Sequence, residues 1–155
     1  MSSASADVST DFLRIDRWEE FPAWATRERI ADYFHETMVP YEDPIEDVKR
    51  SMDYAFEPGA GQGGFLALAH RDENLLGACL MLRTGMKGYI PEWLLLMVTV
   101  DPETRGQGVG RKLIDFCLNE ADGDVKLHVE YQNPAKRLYE RIGFTTKYAD
   151  MRYNK

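Results

Sequence analysis

The sequence predicts an α/β (α+β) fold in a single domain: a mixed, mostly antiparallel sheet with helices on both faces and one parallel pair of strands. Three observations carry this. The length of 155 residues is that of one ordinary domain, long enough to bury a core without staples. The spacing of apolar residues alternates along the chain between the helical period and the strand period. Finally, the stretch "VTVDPETRGQGVGRKLID", Val98 to Asp115, joins an apolar strand-like run to a helical one, and a further alternating run follows. Strand, helix and strand in that order make a right-handed crossover with two parallel strands.

The elements follow in order. Residues 1–10 are small and polar, with neither a basic n-region nor an apolar h-region, and read as a flexible N-terminal tail ahead of a domain spanning 11–155. "FLRI", Phe12 to Ile15, is a short strand. Ile30, Phe34 and Met38 recur at helical spacing up to Pro40, and Ile45, Val48, Met52 and Phe56 give a second stripe between Pro44 and Pro58. "GGFLALAHRDENLLGACLMLR" is a hairpin around the charged turn Arg71 to Asn74, and "WLLLMVTV", Trp93 to Val100, is the next strand; these pair antiparallel. Val109, Leu113 and Cys117 open a helix at the glycines. "DVKLHVEY", Asp124 to Tyr131, alternates strictly as a strand. "NPAKRLYERIGF" is a last helix stopped by Gly143, and "KYADMRY" a closing strand.

Composition narrows the function classes. The 44% hydrophobic content argues against disorder, and no apolar run approaches the roughly 18 residues of a membrane helix. Cys79 and Cys117 sit singly inside apolar patterns without metal-type spacing, so no metal is expected and both read as reduced core thiols. A net charge of −7 disfavours a nucleic-acid surface. The expectation is a cytoplasmic protein without a membrane or nucleic-acid partner.

Gly106, Gly108 and Gly110 on alternate positions, flanked by Arg105 and by Arg111 and Lys112, suggest backbone N–H groups presented to an anion at a helix start. Two familiar phosphate motifs fail on spacing. A P-loop would need Lys then Ser or Thr after Gly110, and a dinucleotide fingerprint from Gly106 would need glycine where Arg111 stands. What remains is R-x-x-G-x-G from Arg105 to Gly110.

That loop, together with "NPAKRLYERIGF", resembles the GNAT family of N-acetyltransferases, whose acyl-CoA loop reads [QR]-x-x-G-x-[GA] and whose following helix reads N-x-x-A-x-x-L-Y-x-x-x-G-F. Ala135, Leu138, Tyr139, Gly143 and Phe144 match; Asn133 stands two steps before Ala135 where the family pattern has three. The resemblance implies an acyl-CoA N-acyltransferase fold whose two parallel strands splay at the cofactor, acetyl-CoA as that cofactor, and transfer of its acetyl group to a primary amine of a small molecule or peptide by direct attack. The pyrophosphate of coenzyme A would sit on the N–H groups of Gly106, Gln107, Gly108, Val109 and Gly110, with Arg105, Arg111 or Lys112 near the phosphates. Val98 and Val100 would offer main-chain groups to the acyl carbonyl and pantetheine, and Asn133 or Gln132 would contact the pantetheine arm.

Tyr139 matches the family's proton donor to the departing thiolate. An ordinary tyrosine titrates near 10 and a thiol near 8.5, so at neutral pH Tyr139 would hold its proton until a thiolate appears beside it, each value being approximate. The bland alternative is a core aromatic on a helical stripe. Candidates for a base are His128 and Glu130 on the polar row of the strand after the loop helix, and Glu92 before Trp93; a solvated strand face is the competing reading, and a water chain would make a base unnecessary. The acceptor pocket would form from residues 22 to 57 and Thr84 to Glu92, where Trp24, Tyr33, Tyr41, Tyr54, Tyr89 and Trp93 mix with Glu36, Glu42, Asp43, Glu46 and Asp47; two solvated helix faces are the competing reading of the charge run. The resemblance also admits a homodimer. Two rival classes are a non-catalytic acyl-CoA binding or sensing module and a protein-interaction domain whose glycines only turn the chain.

Overall fold

A computed structural model of the chain describes residues 9–155, so residues 1–8 of the expected tail lie outside the described residues. Five strands form one sheet in the order β1-β2-β3-β4-β5: β1 (Asp11–Ile15), β2 (Gly64–Arg71), β3 (Asn74–Arg83), β4 (Trp93–Val100) and β5 (Val125–Leu127). The first four pair antiparallel, and β5 lies parallel to β4. The β2–β3 turn falls where the charged residues were, with Asp72 in the left-handed region at φ 52°.

The strict alternation of β2 sorts its side chains between two cores. Leu66 and Leu68 pack towards α1 (Arg27–Thr37) and α2 (Ile45–Phe56), whose buried faces are Ile30, Ala31 and Phe34, and Val48, Met52, Ala55 and Phe56. Phe65, Ala67 and Ala69 pack towards α3 (Val109–Glu120) and α4 (Ala135–Ile142), from which Leu113, Ile114, Cys117 and Tyr139 enter. The helices start where local chemistry allows. Thr26 caps α1 by accepting the Arg29 N–H at 3.1 Å, and Pro44 stands immediately before α2. Cys79 and Cys117 are both free and buried.

The structure corrects two strand expectations. The run Asp124 to Tyr131 forms strand only at Val125–Leu127, and "KYADMRY" forms none. Alternation reports that a segment could show two faces; a strand also needs a neighbour to bond, and past Leu127 no pairing is made among the described residues. In the closing segment Tyr148, Met151 and Tyr153 are 66%, 90% and 90% exposed, so its apolar residues find no face to cover.

Candidate active site

The parallel pair is short. Trp93, Leu94 and Leu95 oppose Val125, Lys126 and Leu127, and pairing ends there while β4 runs on to Val100. The parting coincides with a bulge: opposite β3, Leu80 pairs with Met97 but Met81 with Leu95, so Leu96 is the extra residue. Leu96 and Met97 consequently both pack on the α1/α2 side, and Val98 returns to the α3/α4 side. Beyond the bulge the main chain alternates. Asp101 gives its N–H to the Leu76 carbonyl on β3 at 2.9 Å, so Thr99 faces β3 as well, and Val98 and Val100 direct their peptide groups to the edge that β5 leaves open. The two residues expected to act through their backbone thus lie on the open edge.

At the end of that edge stands the glycine loop. Gly106 and Gly108 have φ of +82° and +83°, and a Cβ added to either meets nothing within 4 Å. Their conformation calls for glycine, and the space over them is open. Gly110 differs: its added Cβ would lie 3.3 Å from Val100 Cγ2 and 3.7 Å from Leu138 Cδ2, so this glycine lets α3 approach β4 and α4. The first α3 hydrogen bond is Lys112 N–H to the Gly108 carbonyl, at 3.1 Å. The N–H groups of Gly108, Val109, Gly110 and Arg111 therefore find no acceptor among the described residues, at the positive end of a twelve-residue helix. Gln107 donates its own N–H to Thr104 at 3.3 Å and is turned into the loop. Arg111 pairs with Asp115 at 3.4 Å, with both side chains about half exposed, and Lys112 is exposed. Free N–H groups under open space, beside two surface cations, fit the phosphates of coenzyme A.

Arg105 is placed otherwise than its sequence position suggests. Its Nε donates to the Val100 carbonyl at 3.2 Å and an Nη to the Thr37 carbonyl at 2.6 Å.

Tyr139 is 8% exposed on α4, edge-on to Phe144 with ring centroids 5.9 Å apart. Burial pushes its phenol up to about 12, with the Cys79 thiol adding to the effect. The phenol is therefore protonated at neutral pH, and its hydroxyl makes no hydrogen bond among the described residues. Asn133 accepts the Ala135 N–H at 2.9 Å with its side-chain oxygen and so satisfies the first N–H of α4. It also borders a groove of about 510 Å³ lined by Tyr131 to Pro134 and by Lys136, Arg137 and Glu140. Sequence reasoning passed over this groove. Lys136 is tied to Glu140 at 3.2 Å, whereas Arg137 forms no ion pair among the described residues, and its signal was a second cation beside the Tyr139 motif.

The three base candidates are not brought together. Glu92 lies ahead of β4, at the end remote from the glycine loop; at roughly 3.3 Å per residue the eight residues of β4 put about 23 Å between the strand's ends. Its Oε1 accepts the Asp124 N–H at 3.2 Å, and its side chain fills the space beside Gly123. His128 and Glu130 follow the last paired residue of β5 and are exposed. On the acceptor side, the Tyr41 hydroxyl donates to the Gln132 carbonyl at 3.4 Å, linking the α1–α2 connection to the loop before α4. Tyr33 is half-buried with its hydroxyl unpartnered among the described residues, and Tyr89 is 80% exposed.

Comparison with known proteins agrees with this geometry. The acetyltransferase (GNAT) domain family matches residues 62–146, from the start of β2 through α4. The mycothiol acetyltransferase of Thermobispora bispora is 35% identical over 120 residues, 72% of this chain and 39% of that protein. That of Rhodococcus erythropolis is 33% identical over 112 residues, 68% of this chain and 36% of that protein, so the chain spans less than two fifths of the length of these relatives. Among solved structures, an aminoglycoside N-acetyltransferase in complex with CoA superposes with a TM-score of 0.63 at 12% identity, covering 94% of both chains. At such identity the likeness speaks for the fold. With the family's domain spanning more than half of the chain, on strands that part above a glycine loop, the chain belongs to the GNAT family of acetyltransferases, which draw on acetyl-CoA.

Proposed function

We propose that the chain transfers the acetyl group of acetyl-CoA to a primary amine of a small molecule or peptide by direct attack. The observation that carries the reading is the conjunction, along one edge, of β4 peptide groups that no strand pairs, free N–H groups from Gly108 to Arg111, and a buried, protonated Tyr139. The bound donor supplies a thioester whose carbonyl carbon is the electrophile. The N–H groups of the glycine loop hold the phosphates, with Arg111, Lys112 and Arg137 as surrounding charge. Main-chain groups of Val98 and Val100 steady the arm and the carbonyl oxygen as negative charge develops on it.

The amine nitrogen bonds to the carbonyl carbon, the carbon–sulfur bond breaks, and the leaving sulfur takes the proton of Tyr139, which the phenolate regains from water before the next turnover. The proton lost from nitrogen passes to water: Glu92 stands at the end of β4 remote from the glycine loop, and His128 and Glu130 lie in solvent beyond the last paired residue of β5. The acceptor therefore reacts as its neutral amine. Calorimetric titration of acetyl-CoA into the wild type and Gly108→Val, with adenosine and NAD as controls, tests the donor site; thiol release across a panel of primary amines, with Tyr139→Phe in parallel, tests the chemistry. Saturable binding by the wild type alone is expected. The reading fails if acetyl-CoA at about 100 times a plausible Kd raises stability by far less than about 2.7 kcal/mol.

A further inference from the structure

We propose that Arg105 is a positioning residue that holds the end of β4 and the start of the glycine loop against α1, rather than a phosphate ligand. The proposal rests on the acetyl-transfer reading only for its kinetic arm. Thr37 is the last residue of α1, and its carbonyl is one of those a helix end leaves without an intrahelical partner. Arg105 satisfies it at 2.6 Å and, through Nε, also holds the Val100 carbonyl at 3.2 Å, where the open edge of β4 ends. A guanidinium at a helix C-terminus is favoured by the helix dipole as well.

The same residue of α1 carries a second tie. The Thr37 hydroxyl has one proton, which goes to the Tyr33 carbonyl, so in its 2.7 Å contact with Thr99 it accepts and Thr99 donates. Thr99 is 5% exposed, on β4 between Val98 and Val100. Thr37 is thus held by Arg105 through its carbonyl and by Thr99 through its hydroxyl. Tyr33 lies in the same place: burial and the Asp101 charge push its phenol well above the tyrosine range, while Arg105 and Arg29 act in the opposite direction. Carbonyl bonding explains the side chain by shape. A planar guanidinium offers donors in a rigid fork that spans two fixed oxygens, and a lysine ammonium of equal charge does not. It also places α1, on the acceptor side of the sheet, in register with the donor edge.

The test compares Arg105→Met, Arg105→Lys and Thr99→Val with the wild type, using acetyl-CoA and the phosphate-free donor S-acetylpantetheine. A positioning role predicts that Arg105→Met and Arg105→Lys lower kcat/KM by a similar factor, about tenfold, for both donors and raise the KM of the amine. Thr99→Val follows the same pattern more weakly. A loss confined to acetyl-CoA, fading with added salt and rescued by lysine, overturns the proposal in favour of a phosphate contact. Amide exchange in the ligand-free protein supplies a readout independent of turnover: the Met38 N–H, which closes α1 on Phe34, exchanges at least several-fold faster in Arg105→Met, and unchanged exchange there refutes the tie. A wild type that turns over neither donor refutes the acetyl-transfer reading and leaves the exchange result to decide on Arg105.

Discussion

Substituting alanine at Gly108 and at Gly110 separates two reasons for glycine that the sequence spells identically. Gly108 sits at φ +83°, where a Cβ meets no atom within 4 Å. The folding cost of Gly108→Ala is therefore backbone strain alone, about 1–2 kcal/mol for an L-residue in the left-handed region. In a domain of this size that lowers Tm by about 2–8 °C. Its new methyl group occupies the open space above the free N–H groups, and losing one hydrogen bond to a charged phosphate, worth about 1.5–3 kcal/mol, weakens acetyl-CoA binding by about 10- to 150-fold.

Gly110→Ala has ordinary helical φ and gains up to about 1 kcal/mol of helix propensity, against a Cβ only 3.3 Å from Val100 Cγ2. Its stability changes by less than about 1 kcal/mol, and it weakens binding less than Gly108→Ala does. Thermal unfolding of both variants, followed by calorimetric titration of acetyl-CoA, reads both quantities. A Gly108→Ala protein of reduced Tm that binds acetyl-CoA as the wild type does would refute the phosphate cradle and leave the glycine a turn residue only.

Tyr139→Phe is expected to keep its fold and its KM for acetyl-CoA while losing about 10²- to 10⁴-fold in kcat, measured by thiol release. Because burial raises the Tyr139 phenol from 10.0 to about 12, the folded protein holds that proton more tightly than the unfolded chain does. The stability this gives is complete below pH 10 and is lost as pH rises towards 12. Urea titrations across that window should show a smaller alkaline decline for Tyr139→Phe than for the wild type. Glu92→Gln keeps an oxygen for the Asp124 N–H and should leave kcat and its pH profile unchanged; a tenfold loss of kcat would make Glu92 a base after all. Asn133→Ala removes the acceptor of the Ala135 N–H at the start of α4 and should cost about 1 kcal/mol in chemical denaturation, with Asn133→Asp restoring most of it.

Much of the fold was legible because its signals are local. The helical stripes of α1 and α2, the β2–β3 hairpin and the crossover through α3 are each written in the spacing of a dozen residues. What failed depended on a neighbour. "DVKLHVEY" alternates over eight residues, but whether a strand is bonded depends on the strand beside it, and β4 diverges after Leu95. "KYADMRY" has strand-like composition but makes no strand pairing among the described residues. In the site, the glycine loop and Tyr139 could be singled out from their motifs, yet the sequence could not show that Gly110 answers to Leu138 and Val100 whereas Gly106 and Gly108 answer to φ. Nor could it distinguish an arginine for phosphate from one for carbonyls, since Arg105 meets Thr37 across 68 residues of chain. Glu92 is one of three base candidates that the sequence offers by residue type and place, and the Asp124 N–H that its carboxylate accepts comes into view only once the turn before β5 is folded.

The sheet also acts as a partition. Leu66 and Leu68 contribute to one core and Phe65, Ala67 and Ala69 to the other, so substitutions in the layer of α1 and α2 have few direct neighbours in the layer of α3 and α4. A change such as Met52→Leu and one such as Ile114→Val should then be energetically additive to within about 0.3–0.5 kcal/mol. A lineage of such proteins can accordingly exchange one layer for a new recognition surface while the other drifts slowly, each with its own tolerance for error.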